Sequence, residues 1–257
     1  MPFPRYPEKH ALKALINPPD YMDYLRSRDA VPSIDPPHGA IICYQHSLWR
    51  HIQEMPGTRQ PDGFLSGGRL LDRDGRTILC VKCQGVGAPI AAAQIEELIA
   101  FGITRFVSVG TAGAIQHGLE IGDIVVCDSA VRDEGTSHHY LPLDHEARPS
   151  PDMLAGLIDR LTREEINHHV GAAWTTDAPY RETIDEIKHY QQQGVAVVEM
   201  EAAALLCVAA YRGAALGAMF TVSDTLADLS WSPAFHHADT KDGLKKLLEV
   251  AIDTLAC

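Results

Sequence analysis

The sequence predicts an α/β fold, with a mostly parallel or mixed sheet covered by helices on both faces. Three observations predict it. Short apolar runs alternate with longer stretches of helical periodicity. The apolar runs are near-continuous, as in strands buried on both faces. The 257 residues carry no repeat, low-complexity tract or linker. A single domain over 1–257 is therefore expected, entered through an irregular lead-in over 1–37.

Pro18, Pro19, Pro32, Pro36 and Pro37 punctuate the lead-in, which has room for one short helix. "GAIICYQ" (39–45) and "TILCVKC" (77–83) read as strands. "IAAAQIEELIAFG" (90–102) is a helix closed by Gly102. "RFVSVG" (105–110) is a buried strand running into a turn, "TAGAI". "GDIVVCDSAV" (122–131) is a strand, and "PDMLAGLIDRLTRE" (151–164) a helix. "HVGAAWTT" (169–176) is a strand, and "RETIDEIKHYQQQG" (181–194) a helix that stops at Gly194. "VAVVEMEAAALL" (195–206) begins as a strand and ends as a helix. "ALGAMFTVSD" (215–224) is the last buried strand, and "DTKDGLKKLLEVAIDTL" (239–255) a closing amphipathic helix.

A net charge of -12 argues against a dedicated nucleic-acid binder. No apolar run is long enough to span a membrane, and the N-terminus lacks the apolar core of a signal peptide. The six cysteines read as reduced thiols of a cytoplasmic protein. Cys80 and Cys83 form a CxxC on a strand, where residues three apart face opposite sides. The histidine pairs 138–139, 168–169 and 236–237 are adjacent, unlike zinc-ligand spacings. No metal is expected.

Ligands of open α/β sheets bind beyond the carboxyl ends of strands. Three such ends are unusual here. In "VSVGTAGAI" (107–115), Gly110 and Gly113 permit close approach, Thr111 offers a hydroxyl, and turn N–H groups would suit an anion. A plain strand-to-loop turn explains this motif as well. In "VVEMEAAAL" (197–205), Glu199 and Glu201 bracket Met200 after a buried strand. First-turn carboxylates suit the helix dipole, while carboxylates beside an apolar wall would also hold sugar hydroxyls. In "FTVSDTLADLSW" (220–231), Asp224 after Ser223 is either a helix cap or a general acid.

Together, in this order and spacing, "VGTAGAI", "GDIVV", "VVEMEAAAL" and "TVSDTL" resemble the nucleoside phosphorylase family, over about residues 38–256. That family contains purine nucleoside and uridine phosphorylases and methylthioadenosine-directed relatives. The resemblance implies a three-layer α/β/α fold with a central mixed, partly barrel-like β-sheet. It implies an enzyme that cleaves a nucleoside with inorganic phosphate, giving free base and sugar 1-phosphate without another cofactor. Glu201 would hold the ribose hydroxyls, with Met200 packed on the sugar and Glu199 close by. Asp224, preceded by Ser223, would donate a proton to the departing base. Trp174 or Tyr180, in "WTTDAPYRE" (174–182), would stack on the base. With Asp224 present and no glutamine-x-arginine signature, a purine is favoured over a pyrimidine. Gly110, Thr111, Ser108 and Arg50 would line the phosphate site. Ser108 stands where the family has an arginine, and "CYQHSLWRHI" (43–52) replaces its glycine-aspartate-proline loop. Those departures leave open a nucleosidase or a non-catalytic nucleoside binder. A homo-oligomer (dimer, trimer or hexamer) is expected, with Arg59, Arg69 or His10 reaching a neighbour's site.

Overall fold

The computed structural model describes residues 4–257. The helices and strands in chain order are α1 (Pro18–Arg26), β1 (Gly39–Cys43), α2 (His46–Glu54), β2 (Gly68–Arg73), β3 (Arg76–Lys82), α3 (Ala88–Phe101), β4 (Arg105–Ala114), β5 (Ile124–Asp133), α4 (Pro151–Arg163), β6 (His169–Thr176), α5 (Ile184–Gln192), β7 (Val197–Glu199), α6 (Ala202–Arg212), β8 (Ala215–Thr225), β9 (Ser232–Pro233) and α7 (Ala238–Ala256). Short 3-10 turns occupy Lys9–Ala11, Gly63–Leu65, Ser137–His139 and Pro179–Arg181.

The nine strands form one sheet in the order β2-β3-β1-β4-β7-β6-β5-β8-β9. Strand β8 also pairs with β4, so β4, β7, β6, β5 and β8 close into a five-stranded ring. This is the mixed, partly barrel-like sheet expected above. Side chains alternate between the faces because the strand period is two. On β1, Ala40 and Ile42 join a core with α1, α3 and α6, while Ile41 and Cys43 join a second core with α2, α4 and α7. Cys80 and Cys83 fall in opposite cores, as their spacing requires. Helix α6 is buried along Ala202–Ala209, which explains its all-round apolar sequence.

Four readings change. Strand β4 does not stop at Gly110 but runs to Ala114, with a register shift against β8 between Ala112 and Gly113. Its glycines are therefore not turn residues; they relieve crowding. A Cβ on Gly110 would sit 3.3 Å from the Tyr44 ring, and one on Gly113 would meet Leu226 Cδ1 at 2.7 Å and Asp224 Oδ2 at 3.0 Å. Helix α2 follows β1 where no helix was expected, because its polar face masks a stripe of just Leu48 and Ile52. Strands β2 and β9, where no strand was expected, lie at the two ends of the sheet order. Helix α5 begins at Ile184, three residues late, because Thr183 and Glu186 form a reciprocal capping box there.

Candidate active site

The sheet topology opens a gap on one edge of β4. Strand β1 pairs with β4 only as far as Val109, and β7 joins the same edge only at Gly113. Because β1 is parallel to β4 and β7 antiparallel, their carboxyl ends face each other across Gly110–Ala112. Each is followed by a helix, α2 and α6, so two helix N-termini begin at this gap. Such strand ends and helix N-termini form the usual ligand crevice of α/β sheets.

At the β7 end, Glu199 serves the protein itself. Its Oε2 accepts from the backbone N–H groups of Glu201 (2.7 Å) and Ala202 (2.8 Å), and its Oε1 accepts from Thr175 Oγ. The Thr175 hydroxyl in turn accepts from Ala203 N–H at 2.9 Å. Glu199 therefore anchors the start of α6, satisfying N–H groups that a helix leaves orphaned. Glu201 is placed by that anchor and is 8% exposed. Its Oε1 accepts from Gly87 N–H at 2.5 Å. Gly87 has φ +104°, open to glycine and strained for other residues, and its Cβ position lies 4.0 Å from Met200 Cε. The loop before α3 thus closes over Met200 and Glu201. Burial pushes both carboxyls up, that of Glu201 further through the charge of Glu199.

At the β8 end, both oxygens of Asp224 accept hydrogen bonds. Ser223 Oγ donates to Oδ1 at 2.7 Å, and Trp231 Nε1 donates to Oδ2 at 2.9 Å. Asp224 aligns with Gly113 in the β4–β8 ladder, and Val198 aligns with Gly113 from the other side. Val198, Leu226 and Asp224 therefore converge over one glycine. The result is an apolar floor with a carboxylate at its edge.

At the β1 end, Tyr44 Oη and Ser108 Oγ are 2.9 Å apart. Burial pushes the Tyr44 hydroxyl well up, so it stays neutral. Gln45 Nε2 donates to Thr111 Oγ1 at 2.8 Å, while Gln45 Oε1 is buried without a partner among the described residues. Gln45 precedes α2 and makes no side-chain cap bond to it.

The family model for the phosphorylase superfamily matches residues 48–256. The chain belongs to the phosphorylase superfamily. It is 35% identical over 150 residues to a guanosine phosphorylase of Halorubrum lacusprofundi, covering 58% of this chain and 62% of that one. It is 33% identical over 160 residues to a uridine phosphorylase of Thermococcus kodakarensis, covering 56% and 57%. These alignments span less than two thirds of either relative. A DeoD-type purine nucleoside phosphorylase of Bacillus cereus is 30% identical over 175 residues, covering 67% of this chain and 73% of its own. The crystal structure of purine nucleoside phosphorylase from Toxoplasma gondii in complex with immucillin-H superposes with a TM-score of 0.77 at 20% identity, covering 86% of this chain and 91% of that one. That likeness concerns the fold.

Within this superfamily frame the expected site residues separate. Glu199, Met200, Glu201, Ser108, Gly110, Thr111, Ser223 and Asp224 gather around the gap and the adjoining floor. Trp174 does not: it is 1% exposed, packs on Tyr190 with ring centroids 4.6 Å apart, and donates to Asp133 Oδ2 at 2.9 Å. Its ring is core, leaving no face for a base. Tyr180 is 99% exposed on the Pro179–Arg181 turn. Arg50 is exposed on α2, 3.5 Å from His46 Nε2. Arg59 pairs with Asp72 at 3.2 Å, and Arg69 donates to Gly68 O and lies over the Trp49 ring. His10 lies in the Lys9–Ala11 turn, where Lys9 Nζ is 2.8 Å from His139 Nδ1.

Tyr44, Gln45, Gly87, Thr175 and Trp231 belong to the site through these bonds and were not singled out by sequence. Gly87 could have been: its position just before a proline-started helix is a signal for a special backbone angle. A cavity of about 1090 Å³ lies between the lead-in and helices α3 and α6, lined by Tyr6, Leu12, Tyr21, Glu96 and Arg212. It contains none of Thr111, Glu201 or Asp224. No helix among the described residues is long and apolar enough to cross a membrane.

Proposed function

We propose that this chain is a nucleoside phosphorylase that cleaves a purine ribonucleoside with inorganic phosphate, giving free base and ribose 1-phosphate. The observation that carries the reading is the placement of Glu201 and Met200 at one side of the β4 gap, with Asp224 at the end of the adjoining strand. In this reading Glu201 accepts hydrogen bonds from the ribose hydroxyls, and Met200 covers the sugar face. Phosphate lies at the gap beside Gly110 and Thr111. As the N-glycosidic bond breaks, its electron pair goes to the base and positive charge builds on the sugar. Asp224 delivers a proton to the departing base, and a phosphate oxygen forms the new bond to the anomeric carbon. No cofactor besides phosphate takes part.

The absence of an arginine at position 108 is offset by other donors. The N-terminus of α2 lacks a side-chain cap, and its orphan N–H groups and dipole favour an anion. Thr111 and Ser108 add hydroxyls, and Arg50 stands one turn into α2. We further infer a cytoplasmic homo-oligomer, in which Arg59, Arg69 or His10 meets a neighbour's site, since Arg50, Arg59 and Arg69 make no bond to Ser108 or Thr111 within the chain.

The test is chromatography of a nucleoside panel incubated with the protein, with and without phosphate. Base and ribose 1-phosphate formed only with phosphate support the reading. Base and free ribose at the same rate without phosphate would overturn it.

A further inference from the structure

Gln45 carries an acceptor that the reaction above does not use. The residue lies between the end of β1 at Cys43 and the start of α2 at His46. Its Nε2 donates to Thr111 Oγ1 at 2.8 Å, at the stretch of β4 that neither β1 nor β7 covers. Oε1 of the same amide is buried and has no partner among the described residues. A buried oxygen without a donor costs free energy until a ligand brings one. The hydroxyls at this end of β1 are donors. Thr111 Oγ1 accepts from Gln45, which leaves its own proton to be donated to a second oxygen. Tyr44 Oη and Ser108 Oγ, 2.9 Å apart, hold two protons for the one hydrogen bond between them, so one proton is left to donate. The Tyr44 ring closes over Gly110, 3.3 Å from where a Cβ would stand. Arg50 meets His46 instead, at 3.5 Å. An arginine would present five donors and no acceptor; this end of the gap presents hydroxyl protons and one carbonyl oxygen.

We propose that Gln45 Oε1 accepts the P–O–H proton of the attacking phosphate, and that the site thereby selects oxyanions that carry a proton, phosphate and arsenate, over sulfate. The inference deepens the proposed function and rests on it, since that reading places phosphate beside Gly110 and Thr111. Near neutral pH phosphate is singly or doubly charged, and both forms keep at least one P–O–H. Sulfate is a dianion with no proton. It matches doubly charged phosphate in shape and charge, so a site made of donors alone takes either anion. Gln45 separates them. Its carbonyl oxygen accepts from a P–O–H, but it meets a bare sulfate oxygen lone pair to lone pair. The Thr111 proton and the one left on the Tyr44–Ser108 pair go to the unprotonated oxygens. A site built to hydrogen-bond an O–H discriminates strongly against an analogue that lacks it.

The test is cleavage of the nucleoside that the panel above cleaves fastest, with phosphate as co-substrate and sulfate as competitor. Wild type, Gln45→Met and Gln45→Glu are compared. In the wild type the sulfate Ki is expected to exceed the phosphate KM by about 100-fold or more. Gln45→Met removes the amide at similar length, so that ratio should collapse to a few-fold, with the nucleoside KM unchanged. Gln45→Glu keeps an acceptor, so it should weaken both anions and retain the ratio. A wild-type sulfate Ki within about threefold of the phosphate KM would mean that the amide turns its N–H₂ to the anion, and overturns the inference. So does a ratio that survives in Gln45→Met. If the wild type cleaves no nucleoside in phosphate, the functional reading fails. Calorimetric titration with phosphate and with sulfate, without nucleoside, then decides the role of Gln45 by itself. Phosphate bound in preference to sulfate, with the preference lost in Gln45→Met, supports it; equal binding, or no binding of phosphate, overturns it.

Discussion

The two glutamates around Met200 divide their work. Glu199 has both oxygens occupied inside the protein and fixes the first turn of α6; Glu201 is the one that turn presents at the gap. Replacing each separately distinguishes the roles. Glu201→Ala is expected to lower kcat/KM by at least 100-fold with a modest change in stability. Glu199→Ala leaves the buried Thr175 hydroxyl and two N–H groups without their acceptor, at about 1–3 kcal/mol each, and is expected to unfold in markedly less urea. Equal urea midpoints for the two variants would sink the division. At Asp224, substitution by asparagine removes the acid, keeps one acceptor for Trp231 Nε1–H and turns an amide donor toward the Ser223 hydroxyl, which can accept. A drop in kcat of about 100- to 10,000-fold is expected for general-acid loss, read by steady-state rates; a rate within a few-fold of wild type would remove Asp224 from the chemistry. Residues of this kind were legible because two carboxylates after a buried strand, or an aspartate ending one, are conspicuous. Tyr44 and Thr175 were not, since a tyrosine or threonine inside an apolar strand run reads as core. Trp174 misled for the opposite reason: aromatic chemistry suits both a base and a core, and only packing separates them.

Elements were legible where a buried face is long, and failed where geometry is set by tertiary contact. Strand β8, the first half of β4 and helices α3, α6 and α7 follow directly from their apolar patterns. Strand β7 is legible in the apolar run at 195–198 although it has only three residues, whereas β9, with two, is too short for any periodicity. The continuation of β4 through "TAGA" was hidden because glycine signals a turn when its neighbours are unknown. Here the glycines admit Tyr44 on one side and Leu226 with Asp224 on the other. Gly113→Ala therefore tests the element as a positioning device. Its added methyl would press Leu226 Cδ1 and the Asp224 carboxylate, and overpacking of this kind costs about 1–3 kcal/mol. The expected signature is a kcat loss larger than the stability loss alone would give at saturating substrate, measured at a temperature well below the melting point. Full kcat in the folded variant would mean that the contact is only packing.

For the whole molecule, the ring of strands concentrates carboxylates at one end with little water to share. Burial pushes Glu199 and Glu201 up, and Glu182 to about 7. Their unfolded counterparts hold a proton only below about 4.3. Between that value and the elevated one, the folded chain binds more protons than the unfolded chain. Stability then falls as pH rises through this window, opposite to a carboxylate that is salt-bridged in the native state. The ligand-free protein is expected to lose stability on going from pH 5.5 to 8. Glu201→Gln keeps an acceptor for Gly87 but cannot ionise, so its melting temperature should decline less over the same range. The two curves should separate by about 2–8 °C at pH 8, the equivalent of about 1–2 kcal/mol in a chain of this size. Because every other titrating group is shared, the difference between the curves isolates Glu201 and its coupling to Glu199. Ribose hydroxyls would supply the donors the ionised carboxylate lacks, so a bound nucleoside should narrow the gap by stabilising the wild type more at pH 8 than at pH 5.5. Parallel melting curves for the two proteins, with and without nucleoside, would mean that Glu201 ionises without cost, and so is neither desolvated nor placed to take a sugar.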